Sequence, residues 1–497
     1  MIGILLSDQS FEQDIRELLM AFCPGQKFTH DEGEALREAG LIVRGGRTGS
    51  GFWLSAERSV SEAENQDGAG TETGPRRFET VSEGRITVDE DSRFETKNRL
   101  KRELYQMMSR LTGKELPWGT LTGIRPTKIA LTRLYEGASE QEIHDHMKET
   151  YLTSEEKIAL SLDVARREKE LLSVVDYENG YSLYIGIPFC PTTCLYCSFT
   201  SFPIGKWQGR TELYLNALFW EMEYVAEKMR GRVLDTIYFG GGTPTSLPAE
   251  DIHAILCKLE DLFDTGHALE FTVEAGRPDS ITEEKLKVLR NHGITRISIN
   301  PQTMNQKTLD LIGRRHSVEM VKERFWMARE LGFDNINMDL IMGLPEEDMD
   351  DVRRTLEEVK ALAPDSLTVH SLAIKRAARL NMFREQYGDL KISNTPEMID
   401  LSAACAREMG MEPYYLYRQK NMAGNFENVG YSLPGKACIY NILIMEEMQT
   451  IAACGAGTTT KVVFPSENRR ERCENVKEVE QYISRIDEMI QRKERIL

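Results

Sequence analysis

YIGIPFCPTTCLYC, residues 184–197, begins as a β-rich apolar run and ends in three cysteines, Cys190, Cys194 and Cys197, spaced C-x3-C-x2-C. Three thiolates at that spacing can grip three corners of a cubane iron–sulfur cluster, a group ordinarily held by four cysteines. The fourth iron is then left for a small molecule to complete. Zinc is the alternative, but a closed structural zinc site wants four nitrogen or sulfur ligands, and no further His or Cys lies nearby in the sequence. Nine cysteines in 497 residues make no dense disulfide framework. The opening MIGILLSDQSFEQ lacks the basic start of a secretory signal and reads as a buried strand. The reducing cytoplasm is the expected compartment.

Outward from this motif, six short apolar runs recur: SLYIGI, DTIYFG, LEFTVEA, ITRISIN, NINMDLIMG and SLTVHSL, spread over residues 182–372. Between them lie helical patterns such as TELYLNALFWEMEYVAEKM and EDIHAILCKLEDLF. Strands alternating with helices predict βαβ units and a parallel sheet. Six units predict an α/β fold with an open, partial (β/α)6 barrel, in which ligands gather at the C-terminal ends of the strands.

A chain of 497 residues is too long for one core, and three regions are expected. Residues 1–175 read as an N-terminal α+β accessory region, with strand-like pieces IGILL, LIVRG, GFWLS and FETVSEGRITVD, a helix over Thr96–Leu111, and a polar flexible loop near 57–77. Residues 176–375 hold the partial barrel, and 376–497 form a C-terminal lid that would cover the substrate. No apolar run is long enough to span a bilayer. The net charge of −17 argues against nonspecific nucleic-acid binding, so an anionic substrate would have to meet locally placed Arg and Lys.

Further candidates fall at the strand ends. Gly240, Gly241 and Gly242 follow the second strand, before Thr243; a glycine triplet lets another group approach the backbone closely, and alone it is often just a tight turn. Glu274 ends the third strand, Gln302 follows the fourth, Arg314 lies twelve residues later, and Asp339 sits in the fifth. Buried acids at strand ends are costly unless they accept strong hydrogen bonds, and an Arg can make a charge-assisted pair with a carboxylate. Structural salt bridges explain any one of these residues equally well.

Taken together, YIGIPFC, CPTTCLYCSF, YFGGGTPT, the Gln302-to-Arg314 spacing and MDLIMGLP resemble the radical S-adenosylmethionine (radical SAM) superfamily, and within it the oxygen-independent coproporphyrinogen III dehydrogenase family. LPWGTLTGIRPTKIA and EPYYLYRQKN resemble its HemZ-type branch. The resemblance implies a radical SAM barrel, a 4Fe-4S cluster on Cys190, Cys194 and Cys197, and S-adenosylmethionine as cofactor. It further implies cofactor contacts from Tyr184, Tyr196, Gly240, Gly241, Gly242, Thr243, Glu274, Gln302, Arg314 and Asp339. The activity it implies is oxidative decarboxylation of coproporphyrinogen III to protoporphyrinogen IX by a 5′-deoxyadenosyl radical. A flavodoxin or ferredoxin would donate the electrons.

Two positions depart from the family pattern. Gly186 stands where the family usually has His, and Phe199 where the well-understood dehydrogenases have Cys. Phe199 is shared with the haem-trafficking relatives, which are the alternative reading beside a radical SAM enzyme for another substrate. Those relatives also share a C-terminal H-N-x-x-Y-W segment; the comparable stretch here begins at Tyr440 and lacks the histidine that would ligate haem. A tetrapyrrole tetra-anion needs cations, and Arg418 and Lys420 are the substrate candidates, with Lys375, Arg376, Lys436 and Lys461 behind them; surface solvation is the competing explanation for each.

Overall fold

The computed structural model of the chain describes residues 1–60, 76–199, 201–373, 378–382, 390–419 and 426–497. It forms two compact units, Met1–Asp163 and Val164–Leu497. Most of the loop expected near 57–77 lies outside the described residues. No helix among the described residues is long and apolar enough to cross a membrane.

In the first unit, strands β1 (Ile2–Leu6), β2 (Phe28–Thr29), β3 (Leu41–Thr48), β4 (Gly51–Val60) and β5 (Arg77–Thr87) make one sheet in the order β2-β1-β3-β4-β5. β1 pairs parallel with β2 and β3, and β3, β4 and β5 run antiparallel. The helix Glu12–Phe22 places Ile15, Leu18, Leu19 and Phe22 on one face, and the helix Arg93–Thr112 does the same with Leu100, Leu104, Met107 and Met108. Spacings of three and four residues bring each set to a single stripe, and both stripes bury against Ile4, Val43 and Leu54 of the sheet. The second helix starts where the Ser92 hydroxyl accepts the Glu95 N–H (3.2 Å), satisfying one of the unpaired donors of its first turn.

The second unit carries β6 (Gly180–Ile187), β7 (Phe189–Cys190), β8 (Phe202–Pro203), β9 (Val233–Gly241), β10 (Glu270–Gly276), β11 (Arg296–Ile299), β12 (Ile336–Met342), β13 (Ser366–Ser371), β14 (Glu412–Tyr417), β15 (Asn428–Ser432), β16 (Thr450–Cys454), β17 (Thr459–Phe464) and β18 (Arg469–Glu474). The six apolar runs become β6, β9, β10, β11, β12 and β13, parallel and adjacent in that order. Helices such as Thr211–Lys228, Ala249–Leu262 and Glu283–Asn291 connect them. Their continuous apolar character suits strands covered on both faces. The C-terminal region extends the same sheet: β15 and β14 pair antiparallel beyond β13, and β16 lies parallel to β6, followed by antiparallel β17 and β18.

A buried ion pair ties the end of the chain to the start of this unit. Lys493, in the helix Ile486–Glu494, donates to Glu221 Oε1 (2.5 Å), and both side chains are fully buried. Glu221 also accepts from the Tyr482 hydroxyl (2.6 Å), Asn475 Nδ2 (2.7 Å) and Gly455 N (2.7 Å), so its lone pairs are well occupied. Removing one partner strands a charge that water cannot reach. Lys493→Ala is expected to destabilise this unit by about 3–5 kcal/mol, and the double variant Glu221→Leu/Lys493→Met by much less. Chemical denaturation of the three proteins checks this; a double variant destabilised as much as Lys493→Ala would contradict it.

Candidate functional site

Backbone pairing carried past the strand ends holds two loops together. Beyond β6 and β9, Gly242 N donates to Ile187 O (2.8 Å) and Thr243 N donates to Phe189 O (2.7 Å). A Cβ at Gly242 would lie 2.5 Å from Phe189 O and 3.1 Å from Cys190 Sγ, so no other residue fits against the cysteine loop here. Phe189 anchors that loop from below, packed on Trp207 and Tyr214. Farther along, Leu195 N donates to Ile312 O (2.9 Å) and the Thr192 hydroxyl to Gly313 O (3.1 Å), which fastens the loop beside Arg314.

Cys190, Cys194 and Cys197 are all free thiols. Cys190 Sγ lies 3.5 Å from Thr243 Oγ1, and Arg277 Nη1 reaches Cys194 Sγ at 3.7 Å. Burial pushes the Cys197 thiol up to about 11, with Cys194 and Cys190 adding to the rise against a backbone N–H at Phe199. Burial likewise raises Cys190. Thiols crowded in this way release protons when a metal takes them as thiolates. Two guanidiniums from outside this loop, Arg277 and Arg314, bring positive charge against it. Arg277 is held by Asp279 (2.6 and 2.9 Å) and donates to Thr192. Arg314, 6% exposed, donates to Asn300 O and to the Tyr196 hydroxyl (3.3 Å).

The remaining candidates form a half-buried polar rim along the neighbouring strand ends. Tyr184 and Tyr238 stack at 6.0 Å, and Tyr440 stacks on Tyr238 at 4.4 Å. The Tyr238 hydroxyl donates to Glu274 Oε1 (2.6 Å). Even so, burial lifts the Glu274 carboxyl to about 7, with Asp339 adding to the rise. Burial works to raise Asp339 too, but His370 and Asn337 hold it below the usual carboxylate range; Asn337 Nδ2 donates to it at 2.7 Å. Gln302 bridges β11 to β12 from a left-handed φ of 69°, its N–H donating to Asp339 O (2.9 Å). Its Oε1 is buried and meets no hydrogen-bond donor among the described residues. A cluster with one open iron and a ligand bearing ammonium, hydroxyl and carboxylate groups fits this set: three free thiols, a glycine cradle, two half-buried acids, an orphaned amide oxygen and a buried Arg.

Gly186 has a local cause. A Cβ there would collide with Thr458 Cγ2, because the turn between β16 and β17 packs onto β6 at this point. Of the substrate candidates, Arg418 is 5% exposed, and burial pulls its guanidinium down to about 10, opposed by Glu427. Lys461 pairs with the largely buried Glu447 (3.2 Å), and Lys436 pairs with the exposed Asp334 (3.3 Å). Lys420, Lys375 and Arg376 lie outside the described residues. Sequence reasoning missed Arg277, Tyr238 and Asn300. The signal for Arg277 was its place three residues after Glu274, on the turn leaving β10.

The Glu274 environment gives a pH signature. Its carboxyl titrates near 7 in the folded chain against an ordinary 4.5, so between these values the folded state holds a proton that the unfolded state has lost. Stability therefore falls as pH rises through that window, by on the order of 3 kcal/mol in full. Denaturation of the cofactor-free protein at pH 5 and pH 8 is expected to show a loss that is smaller by about that amount in Glu274→Gln; equal losses in both proteins would contradict it.

Comparisons with known proteins agree with this geometry. The family model of the Radical SAM superfamily matches residues 184–359. Over 399 residues the chain is 42% identical to the oxygen-independent coproporphyrinogen-III oxidase-like protein HemZ of Bacillus subtilis, spanning 79% of each chain. It is 37% identical over 195 residues to the haem chaperone HemW of the same organism, 39% of this chain and 51% of that one. Among solved structures, coproporphyrinogen III oxidase HemN of Escherichia coli, described as a radical SAM enzyme, superposes with a TM-score of 0.51 at 24% identity, covering 65% of this chain and 72% of that one; this likeness speaks to the fold. The cofactors that go with the superfamily are a 4Fe-4S cluster and S-adenosylmethionine. The chain belongs to the radical SAM superfamily, in its HemZ/HemN-like coproporphyrinogen oxidase family.

Proposed function

We propose that the chain catalyses oxygen-independent oxidative decarboxylation of coproporphyrinogen III, with Cys190, Cys194 and Cys197 as the cluster ligands. When bound, the cluster and S-adenosylmethionine supply hydrogen-atom abstraction from an unactivated carbon. The protein's part is to bind, orient and exclude water. Arg314 pairs with the cofactor carboxylate, Glu274 and Asp339 accept from its ammonium and ribose hydroxyls, and Tyr184 with Gly240–Thr243 line the methionine end. Arg418, a buried cation on the segment after β14, meets a substrate propionate. The electrons come from a flavodoxin- or ferredoxin-type donor in the cytoplasm.

The observation that carries the reading is Tyr440. At 3% exposure it is stacked with Tyr238 and Tyr184 on the inner side of the helix Ile439–Glu446. A haem carrier would need an accessible axial ligand there, whereas this phenol is sealed into the aromatic stack. The extent of the match to the HemZ relative, 79% of both chains, supports the same side. Haem trafficking remains the second reading because Phe199, at 70% exposure, is an apolar side chain on the cysteine loop itself.

An anaerobic assay of reconstituted protein with S-adenosylmethionine, reductant and coproporphyrinogen III separates the two. Expected are 5′-deoxyadenosine formation that depends on the porphyrinogen, loss of two carboxyl groups by mass, and only substoichiometric haem binding. Arg314→Ala is expected to weaken S-adenosylmethionine binding by about 1.5–3 kcal/mol, the range for hydrogen bonds to charged groups. Arg418→Met should raise the porphyrinogen concentration needed and leave uncoupled cofactor cleavage intact. Stoichiometric haem binding without decarboxylated product would overturn the reading.

A further inference from the structure

A second group of metal-ligating side chains lies on the crossover helices, away from the three cysteines in sequence and on different elements. His253 and Cys257 are one turn apart on the helix Ala249–Leu262, and His292 caps the C-terminal end of the helix Glu283–Asn291. Residues four apart share a helix face, so the first helix offers an imidazole and a thiol side by side. Cys257 Sγ lies 3.6 and 3.7 Å from the two ring nitrogens of His253. His253 Nδ1 lies 2.7 Å from His292 Nε2, and one donor atom from each of the three residues falls within 4.8 Å of the others.

The second nitrogen of His292 is already committed. Its Nδ1 lies 2.7 Å from Glu260 Oε1, three residues beyond Cys257 on the same helix. A carboxylate on one ring nitrogen fixes the tautomer and turns the other nitrogen's lone pair outward, the usual support for a metal-bound histidine. Without a metal, the proton between His253 and His292 satisfies both rings. A cation would displace that proton.

We propose that His253, Cys257 and His292 bind one Zn2+ ion, with Glu260 as the positioning carboxylate and water as the fourth ligand. Tetrahedral zinc, with Zn–N of about 2.0 Å and Zn–S of about 2.3 Å, sets nitrogen–sulfur edges near 3.5 Å and nitrogen–nitrogen edges near 3.3 Å. Cys257 Sγ and His253 Nδ1, 3.7 Å apart, are close to that edge; the two imidazoles must part by about 0.6 Å, and the third edge, His292 to Cys257, lies within 4.8 Å. One thiolate with two imidazoles suits zinc ahead of magnesium or calcium, which prefer oxygen. The half-buried, half-exposed placement leaves an entry path. Bound there, the ion would cross-link the helix that follows the glycine triplet to the helix that follows Glu274.

The test uses full-length protein with its cluster reconstituted, exposed to excess Zn2+, desalted and analysed for both metals. Because an empty cysteine loop could itself take up zinc, the same measurement is made in a Cys190→Ala/Cys194→Ala/Cys197→Ala background. The expected result is about one zinc per chain in both proteins, falling below about a tenth when Cys257→Ser and His253→Ala are added, with iron in the cluster-bearing protein unchanged. Zinc-edge X-ray absorption should show one sulfur and two imidazoles. Zinc should raise the melting temperature of the parent and leave that of the variant where it is, since only a ligand that binds the folded state stabilises it. No retained zinc in the parent, or equal zinc in parent and variant, would overturn the proposal; melting of the zinc-free variant at the parent's temperature rules out misfolding as the cause.

Discussion

Everything at the mouth of the partial barrel depends on two backbone hydrogen bonds, Gly242 N to Ile187 O and Thr243 N to Phe189 O. They continue the pairing of β6 with β9 past the point where the strands end, and so fix the cysteine loop against the glycine loop. The contact tolerates no Cβ at Gly242. Glu274 near the end of β10, Gln302 just past β11 and Asp339 in β12 follow in adjacent parallel strands, with a register shift between Glu274 and Gly276 where β10 meets β11. A shift of one residue in β9 would turn its side chains to the opposite face and pull the glycine loop off Cys190.

Electrostatics at the site run against the charge of the chain as a whole. The protein carries a net charge of −17, yet the cysteine loop is bracketed by Arg277 and Arg314, both buried. Buried cations are costly unless hydrogen-bonded and paired. Arg277 has its partner in Asp279, while Arg314 relies on a carbonyl, a phenol and the nearby Cys194 sulfur, and its Nε meets no acceptor among the described residues. The contrast separates their roles. Arg277 is a satisfied strut; both guanidiniums bring positive charge to the Cys194 sulfur, and Arg314 does so with one N–H still unpaired among the described residues. Glu274 and Asp339 divide similarly: near neighbours in one rim, one is held neutral-leaning by burial and the other ionised by His370 and Asn337.

The parallel core was legible in the sequence because each of its strands is a short apolar run followed by a helical pattern, and each motif closes such a run. In the first unit, IGILL, LIVRG, GFWLS and FETVSEGRITVD all became strands, and the helix expected over Thr96–Leu111 runs from Arg93 to Thr112. What stayed hidden depends on partners distant in sequence. IAAC at 451–454 has no strong strand pattern of its own and becomes β16 because β6 offers an open parallel edge. Lys493 and Glu221 are 272 residues apart, and a charged residue in a helix ordinarily reads as solvent-facing. Lys461 looked available for an anionic substrate and turns out to be paired with Glu447. Gly186, a departure from its family, is explained only once Thr458 is seen occupying the space of a side chain.

The central claim is that Cys190, Cys194 and Cys197 hold one cubane cluster whose open iron is completed by S-adenosylmethionine. Electron paramagnetic resonance of the anaerobically reconstituted, reduced protein tests it most directly. The account predicts a single 4Fe-4S signal that changes on adding S-adenosylmethionine and is lost in Cys190→Ala, Cys194→Ala and Cys197→Ala alike. A signal that survives those substitutions, or that is indifferent to the cofactor, would contradict it.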